Sequence, residues 1–428
     1  MPSDDFRAHA PALAPLQGSA LPPVTRLQLD NGVTVVGYDG CSQPVNMVSV
    51  VRKGGNADVG SPALFPMMLA TMGEGTSLHT GTDIANIIDS NGSWLKTGAY
   101  GHHSVVSIFS LNSRTAQVMP VFVDMIENAT FPEHELELKK EQVAQQLSVQ
   151  MQKVSFRADA CLRKLICGAS HPLAIVNTPQ QVMDLRREEL AHLFQRIRQP
   201  RFTHLFVGGS LTPQVVDTVY SAIGSLAPSG VEPLEVAIVP LAPESPCTEK
   251  IEVPDALQSA VCMGMPLVDR HHPDYPLLHV AAIALGGYFG SRLMMNLRED
   301  KGYTYGVNAS LLGVHEGSWL RISFECSHEH VNAAIAQVRL ELERLVSDPP
   351  RGEELERMRR SALVSHLETL DSPLEIVAFY RNMLLSNLPV DYFEAKQNAI
   401  LTVTPEDISR IAAKYLRPEY LRIAVVGR

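Results

Sequence analysis

The sequence lacks an excess of positive charge. Its 428 residues include 36 Lys and Arg against 46 Asp and Glu, which gives a formal net charge of −10 at pH 7. Proteins that bind nucleic acid neutralise phosphates with a surplus of Lys and Arg, and anionic membrane surfaces attract basic segments. We therefore expect no nucleic acid and no membrane as partners.

Cysteine is also scarce, and long apolar runs are missing. The six cysteines form no Cys-x-x-Cys pair, which is typical of reduced thiols and not of a disulfide framework or a cysteine-based zinc site. Residues 1–23 carry acids where a signal peptide has Lys or Arg, and no run of about 18 apolar residues is free of charge. These features predict no membrane span and a cytoplasmic protein, with the periplasm as the alternative if a leader is removed.

The motifs of metal-dependent and serine catalysis are missing as well. A helical zinc site needs two His one turn apart with a Glu beside them, and the chain contains neither HExxH nor HxxEH. His102 and His103 are adjacent, so on a strand they would point to opposite faces. His328 and His330 fall in the first turn of a predicted helix, where positions i and i+2 do not face each other. No GxSxG elbow occurs either, so the residues alone predict no metal site.

The chain contains two similar halves. At an offset of 218, residues 188–209 recur as residues 406–427, and each segment has an acidic helix start, an apolar helical period, a proline and a strand ending in Gly. Residues 133–147 recur from residue 352 at nearly the same offset. An apolar content of 45% with 19% charged residues is typical of folded globular proteins. The sequence therefore predicts one fold made twice.

The composition also predicts domain limits. Residues 226–250 contain five prolines, which indicates an extended linker. We predict an N-terminal α+β domain over residues 1–225, this linker, and a C-terminal α+β domain over residues 251–428. In each half, strands come first, long amphipathic helices follow and a strand closes the unit. This order predicts an α+β fold of two homologous halves, each a largely antiparallel sheet with helices packed on one face.

Individual elements follow from the apolar periodicity. Strands are predicted at residues 34–38, 45–51, 104–111, 260–266 and 318–326, and helices at residues 61–72, 81–91, 115–129, 133–153, 330–346 and 353–369.

The segment GGYFGSRLMMNLREDKGYTYGVNA, residues 286–309, resembles the C-terminal-half signature of the insulinase/pitrilysin family of inverzincin zinc metallopeptidases. That signature has a Gly-rich bend, here Gly286, Gly287 and Gly290, then a short helix, Leu-Arg-Glu and Gly-x-x-Tyr. Four further segments resemble, in order, the family's opening strand, the turn after its zinc helix, its HPLG-type loop and its half-closing strand: residues 29–40, 72–80, 171–182 and 203–209. The resemblance covers nearly the whole chain and implies a duplicated α/β-roll.

The family's zinc-binding residues have no counterpart here. When the turn at residues 75–76 is the anchor, the family's HxxEH residues and its further zinc-ligand Glu map onto Pro66, Leu69, Ala70 and Gln146, with Gln145 as the alternative if the alignment slips by one. Pro, Leu and Ala supply no ligand atom or base, and Gln is neutral. The resemblance therefore implies that this chain binds no cofactor and that zinc belongs to a partner subunit.

Two polar residues of the family's active site are retained. Arg298 and Tyr305 match the Arg and Tyr that, in the family, reach from the C-terminal half to the substrate at the zinc. A guanidinium and a phenol O–H can both donate to a peptide carbonyl and to the oxyanion that forms from it. The resemblance implies that the two side chains act in trans on a homologous HxxEH-bearing subunit.

The leading hypothesis is thus a non-catalytic subunit of a heteromeric zinc metallopeptidase, as a heterodimer or a larger assembly, without activity of its own. Its substrates would be short peptides, bound as an added strand on a sheet edge. The alternative is a degenerate homologue that acts only as a structural scaffold or assembly subunit, in which Arg298 and Tyr305 need no function. Their retention favours the first hypothesis. An independent enzyme with new chemistry finds no base, nucleophile or metal cluster in the sequence to support it.

Overall fold

The strands of the chain form two sheets, one in each half. The computed structural model describes residues 14–59, 61–198, 204–227 and 238–428. Within these ranges the first sheet has the order β1-β2-β6-β3-β5-β4. Its pairs are antiparallel except for β2 and β6, which run parallel. Its strands are β1 (Thr25–Gln28), β2 (Thr34–Asp39), β3 (Val45–Lys53), β4 (Trp94–Ala99), β5 (His103–Leu111) and β6 (His204–Gly209).

The second sheet repeats this arrangement. Its order is β7-β11-β8-β10-β9, and only β7 and β11 run parallel. Its strands are β7 (Thr248–Glu252), β8 (Ser259–Leu267), β9 (Thr304–Val314), β10 (Gly317–Cys326) and β11 (Arg422–Gly427). The closing strands β6 and β11 are separated by 422 − 204 = 218 residues, the offset found in the sequence. The duplicated α+β fold predicted from the sequence is therefore confirmed.

The helices of the first half pack mainly on one face of the first sheet. They are α1 (Leu64–Thr71), α2 (Gly81–Ser90), α3 (Thr115–Asn128), α4 (Glu133–Gln152), α5 (Val154–Cys167), α6 (Pro179–Met183), α7 (Arg187–Arg198) and α8 (Pro213–Gly224). Apart from α5, each contributes to one apolar core with Val48 and Val50 of β3. Helix α1 begins at Leu64, three residues later than predicted, because residues 61–63 form a turn in which Leu64 N–H donates to Ser61 C=O.

The helices of the second half follow the same plan. They are α9 (Tyr275–Gly286), a π-helical segment (Met294–Asp300), α10 (Val331–Ser347), α11 (Gly352–Leu367), α12 (Pro373–Leu385), α13 (Tyr392–Thr402) and α14 (Pro405–Tyr415). Most of them share a second apolar core with Val261 and Met263 of β8. The predicted helices of both halves are therefore present, with ends that differ by up to three residues. None of the helices in the described ranges is both long and apolar enough to cross a membrane.

Each half lends one helix to the other half's sheet. Helix α5 packs on β8 and β11, where its Leu162 meets Cys262 and Ala424. Helix α12 packs on β2 and β6, where its Val377 meets Phe206. The two helices start 373 − 154 = 219 residues apart, so the exchange follows the internal repeat. It covers the second face of each sheet, which the sequence prediction left open.

The predicted domain limits at residues 225 and 250 stay a prediction. Residues 228–237 of the predicted linker lie outside the described residues. The last residues of the predicted linker, 248–250, belong to β7 and pair with β11. The exchanged helices also mean that the limits do not separate two independent packing units.

Candidate functional site

The residues that map onto the family's zinc site lie on two helices in contact. Pro66, Leu69 and Ala70 belong to α1, and Gln146 lies on the exposed surface of α4, which packs against α1. The Leu69 side chain is 4% exposed and forms part of the apolar core. In the described part of the chain, no group of three His, Cys, Asp or Glu lies close enough to hold a metal ion. The mapping itself stays a prediction, since it rests on the resemblance.

The turn after α1 is held by a polar cluster that the sequence reasoning missed. Asp124 of α3 accepts hydrogen bonds from Thr76 Oγ1, from His79 Nδ1 at 3.0 Å and from Asn128 at 2.9 Å. Burial alone would raise the pKa of Asp124, but these donors outweigh it and hold the pKa below its usual value. The cluster ties the turn to α3 and leaves no free carboxylate there for chemistry.

The donor residues are carried by residues 286–305, called here the Arg–Tyr segment. Its Gly286 ends α9 at a close approach to β9, where an added Cβ would lie 2.6 Å from Ala309 Cβ and 2.9 Å from Ala309 N. Glycine is needed here because a larger residue would push the helix away from the strand. The predicted Gly-rich bend continues through residues 287–290 before the chain turns into the π-helical segment.

The π-helical segment is fixed by a buried amide. Asn296 Nδ2 donates to Glu341 Oε1 at 2.6 Å and to Gln337 Oε1 at 3.1 Å, both on α10. Tyr303 N–H then donates to Leu297 C=O at 2.8 Å, which joins the end of the segment to the start of β9. Short π-helical stretches are frequent at functional sites because they reposition side chains within a helix. Here Arg298 lies in the last turn of the π-helical segment.

Arg298 is held over an exposed aromatic ring. Its guanidinium lies 4.9 Å from the centroid of the Phe289 ring, and its Nε lies 3.5 Å from Glu299 Oε1. The Arg298 side chain is 33% exposed and Phe289 is 63% exposed. Stacking on the ring restrains the guanidinium while leaving N–H groups free to donate to another molecule.

Tyr305 lies on β9, an edge strand, and is 95% exposed. Among the described residues its hydroxyl has no hydrogen-bond partner. Its ring borders an open cleft of about 350 Å³ whose lining includes Ser155 of α5 and Arg321 of β10. Strand β9 thus presents a phenol donor to solvent.

The edge of the first sheet offers a second accessible surface. Among the described strands, β4 pairs only with β5, so its other edge faces away from the sheet. Trp94 at its start is 56% exposed and stacks on Phe109, with ring centroids 4.8 Å apart. Unpaired edge strands are able to accept an extended peptide as an additional strand.

His102 has a structural role that sequence reasoning did not detect. It lies just before β5 and donates through Nδ1 to Asp58 Oδ1 at 2.8 Å and through Nε2 to Glu316 Oε1 at 2.7 Å. Hydrogen bonds to Asp58 and Glu316 raise its pKa to about 9, although burial opposes the shift. The imidazolium therefore joins a carboxylate of the first half to one of the second. Its partner Glu316 is 214 residues away in the chain, and no local pattern indicates that contact.

His103 behaves in the opposite way. Burial first, and then the charge of Arg381, lower its pKa to about 4. The two adjacent His therefore differ in charge at neutral pH, and neither contributes to a metal-binding cluster of the described residues.

Comparison with known proteins shows the fold and a family match over part of the chain. Residues 184–362, which include the whole Arg–Tyr segment, match the family described as "Peptidase M16 inactive domain". The "Uncharacterized zinc protease YmxG" of Bacillus subtilis (strain 168) is 22% identical over 307 residues, which cover 70% of this chain and 73% of that protein. The "Uncharacterized zinc protease ML0855" of Mycobacterium leprae (strain TN) is 24% identical over 247 residues, or 55% of this chain and 54% of that protein.

A solved structure agrees with these relatives. The crystal structure of a peptidase M16 inactive domain from Pseudomonas fluorescens superposes with a TM-score of 0.84 at 22% identity, covering 94% of this chain and 98% of that one. The duplicated halves give this chain the same fold as that structure. Together with the matched segment and the zinc-protease relatives, they support a non-catalytic member of the insulinase/pitrilysin family.

Proposed function

We propose that this chain is the non-catalytic subunit of a heteromeric zinc metallopeptidase that degrades short peptides. In this proposal a homologous HxxEH-bearing subunit supplies the zinc, and this chain supplies Arg298 and Tyr305 in trans. The observation that carries the proposal is Tyr305: a phenol 95% exposed on β9, which follows the π-helical segment that carries Arg298. Such a donor is available to another molecule.

The chemistry of the two donors supports this role. When a zinc-bound hydroxide attacks a peptide carbonyl, negative charge develops on the carbonyl oxygen. A guanidinium and a phenol that are already oriented can stabilise that charge more than they stabilise the ground state. The mapped metal positions of this chain hold Pro66, Leu69 and Ala70, and none of these side chains could bind a metal or act as a base. The proposal therefore divides one active site between two subunits.

The free edge of β4 supports a peptide as the substrate. Backbone hydrogen bonds to an edge strand fix an extended chain without reading its sequence closely. Trp94, stacked and more than half exposed, offers an apolar surface for one substrate side chain. A chain bound in this way must be unfolded and short enough to enter the assembly.

Reconstitution tests the proposal. The HxxEH-bearing homologue encoded in the same genome is purified alone and mixed with this chain, and turnover of a quenched fluorescent peptide is recorded with gel filtration of the same samples. We expect a complex whose turnover exceeds that of either component by at least about 100-fold, the effect of oxyanion donors. A partner that is fully active alone contradicts the shared site. A complex that forms without any gain in turnover supports the structural-scaffold alternative instead.

A further inference from the structure

A second cavity of the molecule contains positive charge without a counter-charge. It lies where α5 and its following turn meet the end of β9 and the helices α9, α12 and α13, and its volume is about 550 Å³. We call it the cationic cavity and define it by Arg270, Tyr275, His279, Trp319, Tyr392 and Lys396. It shares no lining residue with the cleft at Tyr305.

The cavity walls are largely aromatic and aliphatic. Tyr275, Trp319 and Tyr392 are each less than a tenth exposed, and Phe379 and Leu311 complete the apolar lining. The volume falls within the roughly 300–1,000 Å³ of small-molecule sites, which combine apolar walls with a few placed polar groups. The cavity therefore has both the size and the surface of a ligand site.

The polar groups in the cavity carry one sign of charge. Among the described residues that line it, none is Asp or Glu. Arg270 donates only to neutral partners, Asn382 Oδ1 at 3.3 Å and Ser386 Oγ at 2.5 Å. Lys396 Nζ lies 3.4 Å from His279 Nε2 and forms no ion pair with a described residue. A third cation, Arg163, is already paired with Asp159 at 3.2 Å. This arrangement occurs in a chain whose net charge is −10.

The electrostatics of Lys396 show that its charge is uncompensated. Burial first, and then the charge of Arg270, lower its pKa to about 8. His279 remains neutral because burial lowers its own pKa well below the usual value. The other titratable groups around Lys396 are Tyr275 of α9, His366 of α11 and Tyr392 of α13, and none of them is an anion near neutral pH.

A neighbouring cavity extends the same pattern. Its volume is about 290 Å³, and it shares Leu173, Arg270, Gly313, Val314 and Asn382 with the cationic cavity. It adds Arg381, whose pKa is lowered chiefly by burial. Its only acidic lining residue among those described is Glu316, which is already bound to His102. The excess of positive charge therefore continues across both spaces.

We propose that the cationic cavity binds an organic carboxylate with an aromatic or other apolar body. Beyond its bonds to Asn382 and Ser386, Arg270 keeps one further N–H on each terminal nitrogen for a carboxylate, and Lys396 adds a second cationic donor from α13. The apolar body of the ligand contacts the aromatic walls, which favours this class over inorganic phosphate. The site is independent of the peptidase role proposed above.

Titration calorimetry of the full chain tests the proposal with three aryl-alkanoates: phenylacetate, 3-phenylpropionate and 4-phenylbutyrate. The comparison ligands are 3-phenylpropanamide, which keeps the shape without the charge, and inorganic phosphate. We expect saturable binding of at least one carboxylate, with the amide and phosphate weaker by roughly 10-fold or more. The absence of saturable binding for all three carboxylates at millimolar concentration overturns the proposal, as does equal affinity for acid and amide.

Variants assign the binding to this cavity. Lys396→Met and Arg270→Gln should each weaken carboxylate binding by roughly 10- to 100-fold, because each removes a charged donor. Lys396→Arg keeps the charge and should retain most of the affinity. The control is Lys250→Met, which removes an exposed lysine of β7 outside the cavity. Unchanged affinity in both cavity variants overturns the proposal.

Stability and proton uptake provide readouts that a folding defect does not imitate. Lys396→Met should raise the melting temperature of the free protein, since it removes an uncompensated cation from an apolar site. At pH 8, binding of the carboxylate should draw a proton onto Lys396, measured as a dependence of the heat on buffer ionisation enthalpy. That dependence should disappear in Lys396→Met. A lower melting temperature of Lys396→Met, or wild-type binding without proton uptake, contradicts the assignment of an unpaired charge.

Discussion

The two halves of the molecule use equivalent segments for different purposes. Between β3 and β4, the first half has α1, a turn fixed by Asp124, and α2, a regular helix that starts at a Thr80–Asp83 capping box. Between β8 and β9, the second half has α9, a glycine bend and the π-helical segment that ends near Arg298. The first segment follows local helix rules and contributes its apolar side chains to the core. The second departs from them and exposes donors.

This difference separates a segment that serves packing from one that presents donors at the surface. In the first half, Leu69 and its neighbours on α1 belong to the apolar core, and the buried Asp124 carboxylate accepts three hydrogen bonds. In the second half, the buried Asn296 side chain donates to Glu341 of α10 and holds the irregular π-helical segment in place. Local irregularity that is supported by specific buried contacts is a signature of function, because stability alone does not require it.

The largest effect should come from removing the donors of the second half. In the reconstituted complex, Tyr305→Phe should lower turnover by roughly 100- to 1,000-fold, because it deletes one O–H and keeps the ring. Arg298→Lys should fail similarly, since an ammonium does not reproduce the planar fork. Turnover of a quenched peptide and complex formation are measured on the same samples, and association should survive.

The matched controls are Tyr420→Phe and Arg417→Lys. These residues form a surface Arg–Tyr contact outside the Arg–Tyr segment, with the guanidinium 4.6 Å from the ring centroid. Both variants should keep full turnover. If the Arg298 and Tyr305 variants do the same, the comparison between the halves loses its functional meaning and the retained motif is structural.

The next effect concerns the exchanged helices. Leu162 of α5 is 1% exposed and belongs to the first half by sequence, yet it packs on the second sheet. Leu162→Ala should lower the free energy of unfolding by about 2–5 kcal/mol through the cavity it creates. Hydrogen exchange should accelerate in β8 and β11 more than in β3 and β6.

Val377→Ala on α12 should show the reverse pattern, with faster exchange in β2 and β6. Leu138→Ala, at a half-exposed position of α4, serves as the control and should change stability by less than about 0.5 kcal/mol. Faster exchange confined to the half that contains the substitution would contradict the exchange of helices.

A smaller effect should appear in the dependence of stability on pH. The folded pKa of His102, about 9, lies above its unfolded value of 6.5, so protonation favours the folded state. Its contribution is fully present below about pH 6.5, declines as the pH rises, and is lost once the pH passes about 9. Denaturation by urea at several pH values should show this decline.

His102→Gln keeps a polar side chain without the titration, so the decline between pH 6.5 and 9 should flatten in this variant. A substitution of similar size at the exposed His271, His271→Gln, should leave the wild-type profile in place. Parallel profiles for wild type and His102→Gln would mean that protonation of His102 does not contribute to the free energy of unfolding.

The smallest effect is an expected null result for metal. With Pro66, Leu69, Ala70 and Gln146 at the mapped positions, the isolated chain should hold no stoichiometric zinc in elemental analysis. About one zinc per chain, released by a chelator, would show that the mapping of the first half is wrong.

Much of the fold follows from the sequence because it depends on local periodicity. The offset of 218 and the apolar runs of β3 and β8 predict the duplication and its strands. In the structure, Thr80 and Thr404 cap the helices α2 and α14 through local side-chain bonds. The exchanged helices could have been predicted from β8. This strand is apolar at nearly every position, as in strands that are buried on both faces.

Other features depend on contacts that sequence spacing does not reveal. The π-helical geometry depends on Asn296 reaching Glu341, 45 residues away. The charge of His102 depends on its hydrogen bond to Glu316, which is distant in the sequence. The cationic cavity depends on Arg270 of a loop and Lys396 of a distant helix lying near each other. The sequence motif predicts Arg298 and Tyr305 as site residues. Their exposure to solvent is seen only in the structure.

The exchanged helices have a consequence for the order in which the protein is made. The last strand of the first sheet ends at residue 209, but the helix that covers its outer face starts at residue 373. Those 373 − 209 = 164 residues take about 8–33 s to translate at roughly 5–20 residues per second. During that time Val36, Met47 and Phe206 lack the cover that Val377 of α12 provides in the finished fold. The nascent first half therefore keeps part of its outer apolar face exposed until the second half is nearly complete.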